Sequence, residues 1–535
     1  MKYKTPPAKI FDLLFLGTMF IFSVWLMYHT FSYVNGQFQI ASKVYSDFGS
    51  HVPLLRSFSK GDNWPPQYPL YPGETIKYHF LFYFFSGLME KLGVRIDHSL
   101  NMPSAMGLFL LITCLYLYGK KLFSSKIIGF LSVIFFLFNG SFSFLDFFAS
   151  HDFNLNAISE ITENVNFSSF GPWNGSVISA FWNLNIYTNQ RHLGMSFAIC
   201  LLLVILLFIK KDRFQNSIGF LLGSLLLVNQ AAFIIASVYF LYSLVTQPLT
   251  KKYLLSITAG ISPWIVLYLA LQNPSPNISF HLGYLLPEGS TLFDFLKYWF
   301  YNLGLHSLLI PVGFLLSPKK FKLLGIPTLM LFVIPNIFKL SPDIINNHKL
   351  FNFFLIAAIP FSSFAILKMW QLNQVTKTMV TVLSPFLILG GIFDYFPIHN
   401  DYYVYVDDFP IDKNIAYFID KTPPNSVVLN DTWFYNPASL AGRAVFNGYP
   451  YFTWSYGYDQ VKREQISSKI YSSVSKVSAC NELIKNNIDY VEISRHPEKH
   501  LLPEYGMWNS QFIPDYVNSS EGLITYSVQN NCQTL

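Results

Sequence analysis

The stretch between Tyr45 and Phe80 holds Asp47, His51, Arg56 and His79 among its ionisable side chains. The stretch reads YSDFGSHVPLLRSFSKGDNWPPQYPLYPGETIKYHF and is crowded with aromatic residues and prolines. An aspartate is ionised at neutral pH and can take a proton from a hydroxyl. Pro53, Pro65, Pro66, Pro69 and Pro72 fix φ and stiffen the segment. Asp47 is therefore a candidate general base held in a rigid loop, with His51 and His79 orienting it or binding an acceptor. The plainer reading makes Asp47 the cap of a helix that begins at Phe48, and each histidine a packed loop residue.

Four further groups carry chemistry. In FLDFFASHDF, Asp146 and Asp152 offer a second carboxylate beside His151, a weak pattern for a metal. Arg191, in YTNQRHLGM, has a planar fork of donors suited to phosphate, or else anchors a helix at the membrane interface. In SPDIINNHK, His348 and Lys349 stand at the mouth of a helix, where a lysine either snorkels or meets a lipid phosphate. In SLAGRAVFNGYPYFTWSYGYD, glycines alternate with aromatic residues. Arg443 and Trp454 there suit an acceptor sugar, or else belong to a turn-rich face. No Walker loop, HExxH, GxSxG or GxGxxG in a strand–helix setting occurs, which argues against a nucleotide-driven pump or a soluble-type hydrolase.

These residues must be positioned by a membrane framework. The 535-residue chain is 52% hydrophobic and 12% charged, with 54 Phe and 33 Tyr. Soluble domains carry about 25% charged residues. The net charge of +6 reads as loop charge that orients the chain, and no nucleic-acid partner is expected. Spanning-length apolar runs recur near 10–32, 99–119, 125–148, 192–209, 215–230, 232–248, 253–271, 302–317, 322–338, 350–369 and 377–396. That makes about eleven transmembrane helices of ~16–23 residues each, against roughly 20 needed to cross. The first run follows a short basic start without a small-residue cleavage site and reads as a retained helix.

With the N-terminus cytoplasmic, the short inner loops are all basic: Lys120–Lys121, Lys210–Lys211–Arg213, Lys251–Lys252, Lys319–Lys320–Lys322 and Lys368–Lys377. The run 79–94 would break this parity and reads as an interfacial or re-entrant helix. The expected architecture is thus a multi-pass α-helical cell-membrane protein. Residues 1–396 form the transmembrane domain with a large first outer loop (33–98), and 397–535 form a small extracytoplasmic α/β domain. Cys480 and Cys532 lie in that domain, and the sequence leaves their pairing open.

One N-terminal helix, a long outer loop opening on an acidic residue, many further helices and an outer C-terminal domain resemble the GT-C glycosyltransferases. The wording SDFGSHVPLLRSFS and PLYPGETIKYHF is similar to the first loop of bacterial GT-C-like membrane proteins. The resemblance implies a polyprenyl-phosphate sugar donor, with Asp47 as catalytic base and His348 and Lys349 against the donor phosphate. Many members carry paired acids in the first loop. Here Asp47 has no acidic neighbour until Asp62, so no metal-binding pair is evident and a divalent metal stays open. The expected activity is inverting sugar transfer to an extracytoplasmic glycan, lipid or protein acceptor. The alternative is a non-catalytic lipid-linked glycan transporter or scaffold. Transporters bury ionisable groups near the bilayer midplane, and the apolar runs here are nearly free of charge in their middles.

Overall fold

The computed structural model describes residues 8–209, 215–246, 250–272, 278–498 and 501–533. The basic run Lys210, Lys211 and Arg213 lies outside the described residues. The chain divides into two compact units, both discontinuous in sequence. The first comprises Met1–His29, Asn101–Val266 and Ile278–Tyr402; the second comprises Thr30–Leu100, Leu267–Asn277 and Tyr403–Leu535. The segment after the first helix and the polar C-terminal segment therefore belong to one unit.

The first unit is helical. Among the described residues five helices are long and apolar enough to cross a membrane: Ile10–Thr30, Ile96–Leu122, Tyr253–Leu271, Lys319–Ile337 and Ile344–Leu372. Leu292–Leu303 and His306–Leu316 make a sixth if this pair, bent by 86°, is one span. Other expected runs give shorter helices, such as Lys126–Leu137 and Leu193–Phe208. The run 125–148 breaks at Asn139, Gly140 and Ser141, and the run 377–396 breaks around Pro385. A proline lacks the N–H donor of a helical hydrogen bond, and here a 3₁₀ turn, Pro385–Leu387, separates two helices. His348–Leu372 forms the centre of the unit and is buried along most of its length. A helix apolar all round can be covered on every side. At Gly313 an added Cβ would lie 2.0 Å from the Phe361 carbonyl oxygen, so only glycine lets these two helices approach so closely.

The second unit contains two main sheets. Phe31–Val34 and Gln37–Ala41 form a hairpin, and Tyr403–Asp407 adds antiparallel to its second strand. Asn35 and Gly36 turn the hairpin with φ of +54° and +82°, the left-handed geometry that Asn-Gly supplies. The other sheet has five strands in the order Tyr516–Asn518, Leu523–Ser527, Tyr490–Ser494, Val427–Leu429 and Ala444–Val445. Val427–Leu429 runs parallel to both its neighbours, and the remaining pairs are antiparallel. Helices at Lys413–Lys421, Gln460–Tyr471 and Lys476–Lys485 accompany this sheet, each capped by a side chain: Asp412, Asp459 and Ser475. Trp508, Tyr471 and Phe512 fill the core.

Cys480 and Cys532 form a disulfide with a Cα separation of 5.4 Å, closing a 52-residue interval. A crosslink of this length limits the unfolded chain. Cys480→Ser is expected to destabilise this unit by about 2–4 kcal/mol. Thermal melting of wild type and variant, with and without reductant, checks this: only the wild type should respond to reductant.

Two carboxyl groups lie in the core beside this sheet. Asp431 and Glu492 are both fully buried. Asp431 Oδ2 accepts the Ser494 N–H at 2.5 Å, and Glu492 Oε1 accepts the Asn436 amide. Asp431 Oδ1 and Glu492 Oε2 have no hydrogen-bond partner among the described residues. Burial pushes both carboxyl pKa values up. The Asp431 charge adds to the rise at Glu492, and the Glu498 charge to that at Asp431. A folded-state pKa above the unfolded value means that the folded chain binds more protons. The stability this contributes is complete below the unfolded carboxylate range near pH ~4 and is lost as pH rises through the folded values. Denaturation midpoints are expected to fall between about pH 4 and neutrality, by an amount on the order of 1–3 kcal/mol. Glu492→Gln should flatten that slope, and an unchanged slope would refute the assignment.

Candidate active site

Helix α1 (Ala8–Thr30) leads through the Asn35–Gly36 hairpin and a single 3₁₀ turn, Ser42–Val44, into α2 (Tyr45–Ser59). The helix therefore begins at Tyr45. Asp47 lies in its first turn and is not its cap, because the preceding turn already supplies helical backbone and Val44 occupies the cap position. A carboxylate there interacts well with the positive end of the helix dipole. Pro53 also departs from expectation, lying inside α2 and not in a loop.

Every residue of α2 from Phe48 to Ser59 is buried. The helix is anchored through Arg56, which is 1% exposed. Its guanidinium holds Asp408 in a two-pronged pair at 3.1 and 2.7 Å and Glu90 at 2.8 Å, and donates to the Leu440 carbonyl at 3.0 Å. Tyr33 donates to Asp408 at 3.0 Å, and Ser59 donates to Glu90. Glu90 belongs to α3 (Leu81–Lys91), so one cation ties α2 to α3 and to the segment after Tyr403–Asp407. The carboxylates of Asp408 and Glu90 leave the cluster with a net negative charge that its hydrogen bonds must satisfy.

At the opposite end of α2, Asp47 is half-buried among tyrosines. Burial is the main cause of raised phenol pKa values at Tyr78, Tyr435 and Tyr456, and the Asp47 charge adds to each. These phenols stay protonated at neutral pH and keep an O–H to donate. Tyr435 donates to the Tyr45 carbonyl at 2.5 Å, which fixes its ring against the start of α2. Tyr78 stacks on Tyr456 with centroids 4.1 Å apart, and the His79 ring lies tilted against it at 3.8 Å. One helical turn beyond Asp47, His51 shares its face of the helix. The His51 ring lies 4.9 Å from Tyr83. Ser50 and Tyr68 share a hydrogen bond of 2.8 Å. The unit thus brings Asp47, His51 and His79 into one aromatic-walled cluster. Tyr78 and Tyr435 were not singled out from sequence. The only signal for them is the aromatic density of Tyr78–Phe85 and Trp433–Tyr435, because contacts across more than 350 residues leave no local pattern.

Arg443, placed in the acceptor group by sequence, is 2% exposed. It donates to the carbonyls of Lys60, Ala441, Ile419 and Thr422 and to the Thr422 hydroxyl. These bonds to backbone carbonyls and the Thr422 hydroxyl close a turn. Trp454 is on the same unit and is 46% exposed.

The helical unit holds the remaining candidates. Arg191 is 1% exposed and donates to Asn101 Oδ1 at 2.9 Å and to the Met27 carbonyl at 3.3 Å. It ties Asn101 to α1, which weakens its assignment as a phosphate clamp. The His348 ring stacks on Phe181 at 4.5 Å and lies within 3.4 Å of the Gln190 amide, and Lys349 donates to Asn346 at 3.1 Å. Asp152 is exposed, and the His151 ring stacks on Phe147 at 3.9 Å. Asp146 instead accepts from Ser176 at 2.7 Å. Among the described residues no three of His, Cys, Asp and Glu converge as a metal site.

No protein-family model matches the sequence, and neither does any curated protein. Solved structures do match in fold. ArnT from Cupriavidus metallidurans in the apo state aligns over 98% of both chains with TM-score 0.51 and 10% identity. The same protein bound to undecaprenyl phosphate aligns over 98% of both chains with TM-score 0.52 and 10% identity. The fold is therefore similar to that of ArnT. The likeness covers 98% of the chain, and at this identity it is a likeness of fold. The Archaeoglobus fulgidus oligosaccharyltransferase, tethered to an acceptor peptide, aligns over 91% of this chain and 69% of its own at 11% identity, with a TM-score of 0.42 that carries no weight here.

Proposed function

We propose that this chain is a membrane glycosyltransferase that moves a sugar from a polyprenyl-phosphate donor to an extracytoplasmic acceptor, with inversion. The observation that carries the reading is the half-buried Asp47 at the head of α2, walled by protonated tyrosines, in a chain whose fold is similar to that of ArnT. Asp47 takes the proton of an acceptor hydroxyl as that oxygen attacks the anomeric carbon. The bond from that carbon to the phosphate oxygen breaks, and its electron pair leaves with the polyprenyl phosphate. The transition state has oxocarbenium character, as in glycoside hydrolysis. His51 and His79 orient the carboxylate or the acceptor. A cation stabilises the charge that grows on the departing phosphate.

The same proposal includes the topology. The N-terminus is cytoplasmic, about eleven segments cross, and residues 397–535 lie outside. The basic residues of the inner loops support it. Short helices such as Leu193–Phe208 cross where flanking residues snorkel or the bilayer thins.

The test uses purified protein in lipid discs with a panel of polyprenyl-phosphate sugars, reading release of polyprenyl phosphate. At least one donor is expected to be consumed. Release from none would transfer weight to a transport or scaffold role.

A further inference from the structure

The far end of α2 borders a second feature that the proposed chemistry does not use. A hollow of about 310 Å³ lies between the proline-rich stretch after α2 and the start of the five-stranded sheet. Ser57, Asp62, Trp64, Pro69, Asn425 and Gly442 are among its walls, all within the second unit. Pro65, Pro72 and Pro424 also line it, so its shape is set before any ligand arrives. Trp64 is 57% exposed, with its ring 5.8 Å from Phe84 of α3. An indole held out to solvent on a stiff loop is apolar surface that folding leaves uncovered. Beside it are the carboxylate of Asp62 and the amide of Asn425, both exposed.

This hollow adjoins a second, of about 250 Å³, and the two share Pro72, Gly73 and Val427 as walls. The second is cationic. Lys462 and Lys485 line it and are exposed. Arg463 forms part of its wall and is held in place by the carbonyls of Phe446 at 3.1 Å and Pro72 at 2.5 Å. Its guanidinium lies over the rings of Tyr71 and Phe446 at 4.1 and 4.2 Å. Against these three cations stands one carboxylate, Glu74, itself paired with Lys77 at 3.1 Å.

We propose that these adjoining hollows bind an anionic oligosaccharide, with a sugar ring stacked on Trp64 and its acidic group against Lys462 and Lys485. One flat apolar face flanked by a carboxylate and an amide matches a sugar ring, which has an apolar C–H face and a rim of hydroxyls that both donate and accept. Ser57 lies ten residues beyond Asp47 on α2, about 15 Å along the axis. The ligand is therefore the distal part of an acceptor whose reacting hydroxyl lies at Asp47. In that respect the inference rests on the proposed transferase reading and names its acceptor class.

The test is a binding titration of the full-length protein in lipid discs, without donor, by calorimetry. The probes are trigalacturonic acid, neutral chitotriose and a hexaproline peptide. Trigalacturonic acid is expected to bind, and Trp64→Ala to weaken it about tenfold, the scale of losing an aromatic anchor. The double variant Lys462→Ala/Lys485→Ala is expected to bring it down to the chitotriose level. All three residues are exposed, and melting curves confirm that each variant is folded. Binding of neither sugar, or sugar binding unmoved by Trp64→Ala, would overturn the proposal. Hexaproline binding that depends on Trp64, in place of sugar, would make the hollow a peptide groove and also overturn it. Because no donor is present, failure here leaves the Asp47 chemistry standing, and absence of sugar transfer leaves this binding result intact.

Discussion

Arg56→Ala is expected to destabilise the second unit by about 3–5 kcal/mol, the cost of removing one partner from a buried ion cluster. The loss exceeds the ion pairs themselves because Asp408 and Glu90 would remain buried, at 0% and 9% exposure, without the cation between them. Tyr33 and Ser59 would still donate to them, but no positive charge would balance the two carboxylates. The triple variant Arg56→Met/Asp408→Asn/Glu90→Gln removes the charges together and should recover much of the loss. Denaturant unfolding of the three proteins, followed by tryptophan fluorescence, separates these outcomes. A single variant as stable as wild type would show that Arg56 does not anchor α2.

Asp47→Asn should lower sugar transfer by about 10²–10⁴-fold, the contribution of a positioned general base. Asparagine keeps the shape of the side chain but cannot take a proton. Donor binding should change little, so the effect belongs in kcat and not in KM. Asp47→Glu keeps the base but moves its oxygens, and should retain more activity than the asparagine variant. Asp47 is half-buried in the first turn of α2, where asparagine is readily accommodated, so the variant should melt near wild type. Equal loss in both variants, accompanied by a lowered melting temperature, would point to a structural role in the helix start.

The apolar runs near 10–32, 99–119 and 350–369 were legible because length and hydropathy alone determine such helices, here Ala8–Thr30, Ile96–Leu122 and His348–Leu372. The runs near 125–148 and 377–396 were legible as apolar but are not single helices. Asn139–Ser141 and the stretch around Pro385 interrupt the backbone without lowering the average hydropathy much. The Asn35–Gly36 dipeptide carried a hairpin signal that the neighbouring apolar run obscured. In the C-terminal part, DKNIAYFIDK forms the helix Lys413–Lys421, and the strand Val427–Leu429 follows its Pro turn.

The candidate site was half legible. Asp47 and the two histidines stood out by residue type and by the crowding of rigid residues around them. Tyr78 and Tyr435 did not, and Tyr456 could not be tied to Asp47, because Tyr435 and Tyr456 reach it only through the union of segments some 390 residues apart. For Arg443 the sequence left an acceptor role and a turn-rich face open, because a fork of donors looks alike in sequence whether it faces a ligand or, as here, backbone carbonyls.

The most direct measurement of the central claim is polyprenyl phosphate released over time by wild type and Asp47→Asn, side by side in the same lipid discs with the same donor and acceptor. The account predicts steady release by wild type and a rate at least about 100-fold lower in the variant. Equal rates in the two proteins would contradict it, since a base that can be removed without cost does not do the chemistry.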